Sequence, residues 1–121
     1  MIVDDHADFL GAARAALECE GIEVVGVATT SAQAIARTRD LRPDVVLIDV
    51  FLGQESGFVL AERIAEDTGP PAAGRPAVIL MSTAAGTDLA ELIKASPAIA
   101  FLPKRNLTGG AVHQVLDHAT R

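Results

Sequence analysis

Apolar residues along this chain fall into short blocks separated by longer stretches of helical spacing. The blocks IEVVGVA at 22–28, DVVLID at 44–49 and PAVILMS at 76–82 are rich in β-branched residues and read as buried strands. AIAFL at 98–102 is a shorter block, and MIVD at 1–4 is shorter still. Between them, 8–20, 31–41, 57–66, 87–96 and 108–119 carry apolar residues at the three-to-four spacing of one helix face. Thr30 or Ser31, Thr87 or Asp88, and Thr108 stand where N-caps are wanted, and Gly21 stands where the first helix needs a terminating glycine. Pro43 separates the second helix from the third strand, and DTGPPAAGRP at 67–76 is a long loop. Five alternating strand and helix units predict an α/β fold: a doubly wound, five-stranded parallel sheet with right-handed crossovers and helices on both faces.

At 121 residues, with half of them hydrophobic, the chain is long enough to bury a core without disulfide or metal staples. No internal repeat or linker divides it, so residues 1–121 are expected to form one domain. The four aromatic residues are all Phe and the formal net charge is −6, which disfavours direct nucleic-acid binding, because phosphate neutralisation needs a basic face. Cys19 has no cysteine to pair with and reads as a small core or boundary residue. No signal peptide and no apolar run approaching about twenty residues is present. A cytoplasmic protein without membrane contact is the expectation.

In a doubly wound sheet, function collects outside the carboxyl ends of the strands. Strand one ends in Asp4 and Asp5, strand three in Asp49, strand four in Ser82 and Thr83, and strand five in Lys104. The adjacent pair at 4–5 alone reads equally well as a helix cap. Three carboxylates converging on one rim, however, repel each other unless a cation relieves them. Oxygen donors without a His or Cys ligand set favour Mg²⁺ over Zn²⁺. A lysine ammonium and a serine hydroxyl opposite would bind a tetrahedral oxyanion. Together these groups make a site for phosphoryl transfer to aspartate. His6, beside the acidic pair, reads as a solvated first-turn residue, and His113 and His118 as surface or boundary residues.

Asp4-Asp5 after strand one, LIDVFLGQESG around Asp49, ILMST ending strand four and FLPK ending strand five occur in order along the whole chain. On these motifs the sequence resembles the receiver domain of two-component response regulators. The resemblance implies a flavodoxin-like sheet of order 2-1-3-4-5. It implies that Asp49 takes the phosphoryl group from a sensor histidine kinase. Asp5, Asp49 and the backbone carbonyl of Phe51 would then hold Mg²⁺, with Asp4 acting mainly through water. Lys104 would pair with the phosphoryl oxygens and Ser82 would hydrogen-bond them, with Thr83 as a rival, while Phe101 changes rotamer. Signalling would pass through the face of the fourth helix, fifth strand and fifth helix to an output domain or downstream protein, possibly including a homodimer partner. The resemblance implies no enzymatic activity beyond slow self-dephosphorylation.

The sequence departs from the family pattern in four places. Strand one is short, and Gly53 stands where many receivers have proline, which leaves that loop freer. Pro103 precedes Lys104 and Arg105 follows it, so the cis peptide common after the lysine is not expected. The chain ends after the last helix, as a stand-alone receiver or a piece of a longer regulator would. Other readings fit less well. An aspartyl-nucleophile phosphohydrolase wants an acid two places after the nucleophile, where Phe51 stands. A flavodoxin-type nucleotide or flavin binder wants a phosphate loop, where DDHAD stands. A degenerate receiver would not keep Asp4, Asp5, Asp49, Ser82 and Lys104 together.

Overall fold

A computed structural model describes residues 1–68, 76–83 and 90–119. In chain order the elements are β1 (Ile2–Val3), α1 (Ala7–Cys19), β2 (Val27–Ala28), α2 (Ser31–Leu41), β3 (Val45–Asp49), β4 (Phe51–Leu52), β5 (Glu55–Ser56), α3 (Gly57–Thr68), β6 (Ala77–Ser82), α4 (Ala90–Ala95), β7 (Ala100–Pro103), a 3₁₀ turn (Lys104–Asn106) and α5 (Gly109–Ala119). The main sheet is parallel with order β2-β1-β3-β6-β7. Counting its five strands in sequence gives the expected order 2-1-3-4-5.

Alternation along the central strands sorts the core onto two faces. Val46 and Ile48 of β3, with Val78 and Leu80 of β6, pack against Ala34 of α2 and Leu60 and Ile64 of α3. Leu47, Ile79 and Met81 face the other way, onto Leu10, Ala13 and Leu17 of α1 and Val112 of α5. A side chain such as Leu60, fully buried, contributes roughly 1.5–3 kcal/mol by leaving water. The caps follow the sequence signals. Thr30 Oγ1 accepts from Gln33 N at 3.2 Å, Thr108 Oγ1 accepts from Ala111 N at 3.0 Å, and Gly21 turns the chain at φ +86° after α1. Glu20 at the end of α1 also caps α5, its carboxylate accepting from Gly109 N. The alternative caps Thr87 and Asp88, most of the 67–76 loop and the His118 side chain lie outside the described residues.

Three expectations are corrected. The block 22–28 pairs only at Val27–Ala28, because its neighbour β1 offers only Ile2 and Val3 for pairing. Cys19 is exposed rather than at the core. It lies two positions past buried Leu17, about 200° around the helix from the buried stripe. The segment after Asp49 is also more ordered than a loop: Phe51 pairs with Ser56 and Leu52 with Glu55 in a tight hairpin, turned by Gly53 at φ +60°. Glu55 ties this hairpin to α2 by accepting from Ser31 N at 3.1 Å.

Candidate functional site

The parallel register delivers the chemistry-bearing side chains to one edge. Asp4 leaves β1 with its amide donating to Ala28 O at 3.0 Å, Asp49 closes β3, Ser82 closes β6, and Lys104 begins the turn after β7. Asp49 pairs across with Met81, and Ser82 with Pro103, so adjacent strands end in step. Asp4, Asp49 and Ser82 are all buried, at 0%, 3% and 1% exposure.

Lys104 is the electrostatic pivot. Its Nζ lies 2.6 Å from Asp4 Oδ2 and donates to Asp49 Oδ2 at 3.1 Å. The contact to Asp4 is an ion pair out of hydrogen-bond alignment, so Asp4 Oδ2 is buried with no aligned donor. Phe9, one turn into α1, lies under the ammonium, with its ring centroid 4.5 Å from Nζ. Burial opposes the Lys104 charge, but the close carboxylates of Asp4 and Asp49 outweigh it and hold its pKa above the ordinary lysine value. Asp49 is pushed up, chiefly by burial and also by the Asp4 charge. Lys104 and the Phe51 amide, which donates to Oδ1 at 3.2 Å, pull the other way.

Asp4 Oδ1 accepts from the His6 amide at 2.9 Å, and His6 Nδ1 lies 2.9 Å from that oxygen and 3.1 Å from Asp5 Oδ1. The hydrogen bond to Asp4, then the charges of Asp5 and Asp4, raise the His6 pKa. His6 is therefore not a merely solvated residue, as the sequence suggested. Gly57 is a second feature the sequence did not single out. Its amide donates to Val50 O at 2.7 Å, and a Cβ there would run into the Asp49 carbonyl oxygen, so α3 starts tight behind the site. Phe9 is the third. Its signal was legible only as a position four residues beyond Asp5, one helical turn away.

The other expected residues are less concentrated. Phe51 has its amide in the site but its side chain 58% exposed on the hairpin. Thr83 is exposed, and Phe101 is half-buried against the core. The peptide after Lys104 is trans, as its flanking residues suggested.

One donor atom from each of Asp4, Asp5, His6 and Asp49 lies within 4.8 Å of the others. Three carboxylates against one ammonium fit a divalent cation.

The sequence model of the response regulator receiver domain matches residues 1–114. The chain belongs to the response regulator receiver family. The receiver is 32% identical over 108 residues to a protein-glutamate methylesterase/protein-glutamine glutaminase of Alkalilimnicola ehrlichii, covering 87% of this chain and 26% of that protein. It is 33% identical over 66 residues to the response regulator GacA of Pseudomonas viridiflava, covering 53% of this chain and 30% of that protein. Among solved structures, the signal receiver domain of NarL from Mycobacterium tuberculosis superposes with a TM-score of 0.81 at 28% identity, over 98% of this chain and 93% of that one. The receiver thus spans about a quarter to a third of these two curated relatives. Its function is that of the family, a phosphoacceptor module in two-component signalling, and the phosphohydrolase alternative is not favoured.

Proposed function

We propose that Asp49 is the phosphoacceptor and that residues 1–121 act as one receiver. A carboxylate oxygen of Asp49 attacks the phosphorus of a kinase phosphohistidine, and the P–N bond breaks with its electron pair returning to the imidazole. One observation carries the choice. Asp49 alone combines contact with Lys104 with a side chain 5% accessible, whereas the Asp4 side chain has no exposure and Asp5 makes no contact with the ammonium. Asp4 Oδ1 is also occupied by the His6 amide, while Asp49 Oδ1 has only a 3.2 Å bond from Phe51.

Mg²⁺, when bound, supplies positive charge for the phosphoryl oxygens. Asp5, Asp49 and the Phe51 carbonyl would hold it, with Asp4 acting through water. Lys104 follows the phosphoryl group as an ion-pair partner, and the Ser82 hydroxyl, with Thr83 as its alternate, donates to it. Phe101, half-buried, is suited to moving between packed and exposed rotamers. The readout surface is that of α4, β7 and α5, where Leu92 and Ile99 are exposed, and it serves an output domain or a separate protein. A sensor histidine kinase supplies the phosphoryl group, and the module itself does no more than slow self-dephosphorylation. No helix among the described residues is long and apolar enough to cross a membrane, which fits the expected cytoplasmic setting.

The test is incubation with a small phosphodonor and Mg²⁺, followed by intact mass and mapping of the modified residue. The parent should gain one phosphoryl group on Asp49 and the Asp49→Asn variant none. Equal labelling of that variant would sink the assignment.

A further inference from the structure

The hairpin of β4 and β5 carries the backbone that meets Asp49, and little of it is self-supporting. Its cross-strand pairs are Phe51 with Ser56 and Leu52 with Glu55, and a two-stranded ribbon of that size is marginal in water. Yet the Phe51 amide donates to Asp49 Oδ1 at 3.2 Å, and the turn runs beside Asp5, since a Cβ on Gly53 would lie 3.4 Å from Asp5 Oδ2. The ribbon is held from outside. Leu52 is buried in the core, Gly57 N donates to Val50 O at 2.7 Å, and Glu55 Oε1 accepts from Ser31 N at 3.1 Å. Ser31 opens α2, where first-turn amides have no partner within the helix and the helix dipole favours a carboxylate. The first turn of α2 has no acidic residue of its own. Thr30 Oγ1 takes the Gln33 amide, and Glu55 reaches across from the hairpin to take that of Ser31.

We propose that Glu55 is a positioning residue for phosphoryl transfer: its bond to the start of α2 holds the hairpin so that the Phe51 amide keeps the Asp49 carboxylate oriented for attack. This rests on the reading of Asp49 as the phosphoacceptor. A nucleophile free to turn away forfeits the contribution of orientation, and a small misplacement set by a distant contact is enough to slow the reaction. The pairing of Leu52 with Glu55 puts the anchor one residue pair from Phe51, so slack at Glu55 reaches the Phe51 peptide directly. The rival role for Glu55 is to cap α2 and nothing more, in which case its loss costs stability and leaves Asp49 where it was.

Amide hydrogen exchange and labelling by a small phosphodonor, on the parent chain, Glu55→Ala and Glu55→Gln, separate the two. Glu55 is exposed, so its replacement empties no core. In Glu55→Ala the Phe51 amide should exchange roughly tenfold faster without metal, the scale of one lost hydrogen bond to a charged group, and Asp49 should label severalfold more slowly at saturating Mg²⁺. Glu55→Gln keeps an oxygen for the Ser31 amide and should recover most of both. Ser31→Pro removes the donor from the other side, and proline suits the first helical position after an extended Thr30 at φ −135° and ψ 162°. It should slow labelling to the same extent and add nothing to Glu55→Ala. A Glu55→Ala chain that keeps either the parent's Phe51 exchange or its labelling rate would overturn the proposal and leave Glu55 as a cap of α2. Absence of labelling at Asp49 in the parent would overturn the phosphoacceptor reading and the proposal with it.

Discussion

Asp49, the proposed phosphoacceptor, is buried at some cost to stability. Its folded-state pKa lies above the ordinary value, chiefly through burial, so the folded chain holds that proton more tightly than the unfolded chain. The sign follows. Stability falls as pH rises from the unfolded to the folded value, and above the folded value the whole penalty is present. Asp49→Asn, which keeps the shape and removes the charge, should therefore raise Tm without metal by a few degrees, with the gain shrinking toward pH 4. A lower Tm for the variant at pH 7 in scanning calorimetry would mean the Lys104 pair outweighs the burial penalty. Phe51 is the other residue with a separable role. Two places after the acceptor, in receivers this position flanks the path of the attacking water. Here an exposed phenyl ring can orient no water and can cover the phosphorus. Ala84, two places after Ser82 and expected from the receiver resemblance to flank the same water path, lies outside the described residues, and the expectation is placed on Phe51. Phe51→Asn should lose the phosphoryl group severalfold faster than the parent, followed by mass or by release of inorganic phosphate, and an unchanged rate would assign the lifetime elsewhere.

β1 and β2 show where an element depends on its neighbour. Ile22–Val25 looks like strand in sequence but lies outside the paired residues of β2, because β1 pairs only through Ile2 and Val3. An open groove of about 330 Å³ results, lined among others by Met1, Ile22, Val24, Val45 and Leu116. The Met1 ammonium is drawn into it, donating to Val45 O at 2.9 Å, and burial lowers its pKa from 8.0 to about 6 despite Asp44 nearby. Between those values the unfolded chain holds more protons, so stability should rise by up to about 2 kcal/mol from pH 6 to pH 8. Three β-branched residues added ahead of Met1 should pair with Glu23–Val25, raise Tm and remove that slope. If the slope persists, the amine is not its source. The same contrast explains what was legible. β3 and β6 declared themselves because their apolar alternation is local, and the acidic rim followed because each of its residues ends a strand. The length of β2 is set by a partner strand, the exposure of Cys19 by helix phase, and the hairpin by the φ of one glycine. Phe9 joins the site through space, against Lys104, and Gly57 through its close approach to the Asp49 carbonyl, while His6 enters it by turning back onto Asp4 within its own segment.

The charge on this molecule is distributed to be completed by something else. The net −6 is spread over the chain, yet three carboxylates gather at one edge of the sheet around a single lysine, while the opposite edge opens into an apolar groove. A general excess of negative charge responds to any salt, because screening acts on all exposed charges within about 10 Å at 0.1 M. A chelating corner with buried oxygens responds to a divalent ion specifically and by mass action. At a Mg²⁺ concentration ten times Kd, binding to the folded state alone adds about 1.4 kcal/mol, a Tm rise of about 4 °C for a domain of this size. NaCl at matched ionic strength should give only a fraction of that rise, and Asp5→Ala, which removes an accessible donor without emptying the core, should abolish the difference between the two salts. If the parent and Asp5→Ala gain equally from Mg²⁺, the ion is acting on the overall charge and the acidic corner is not its site.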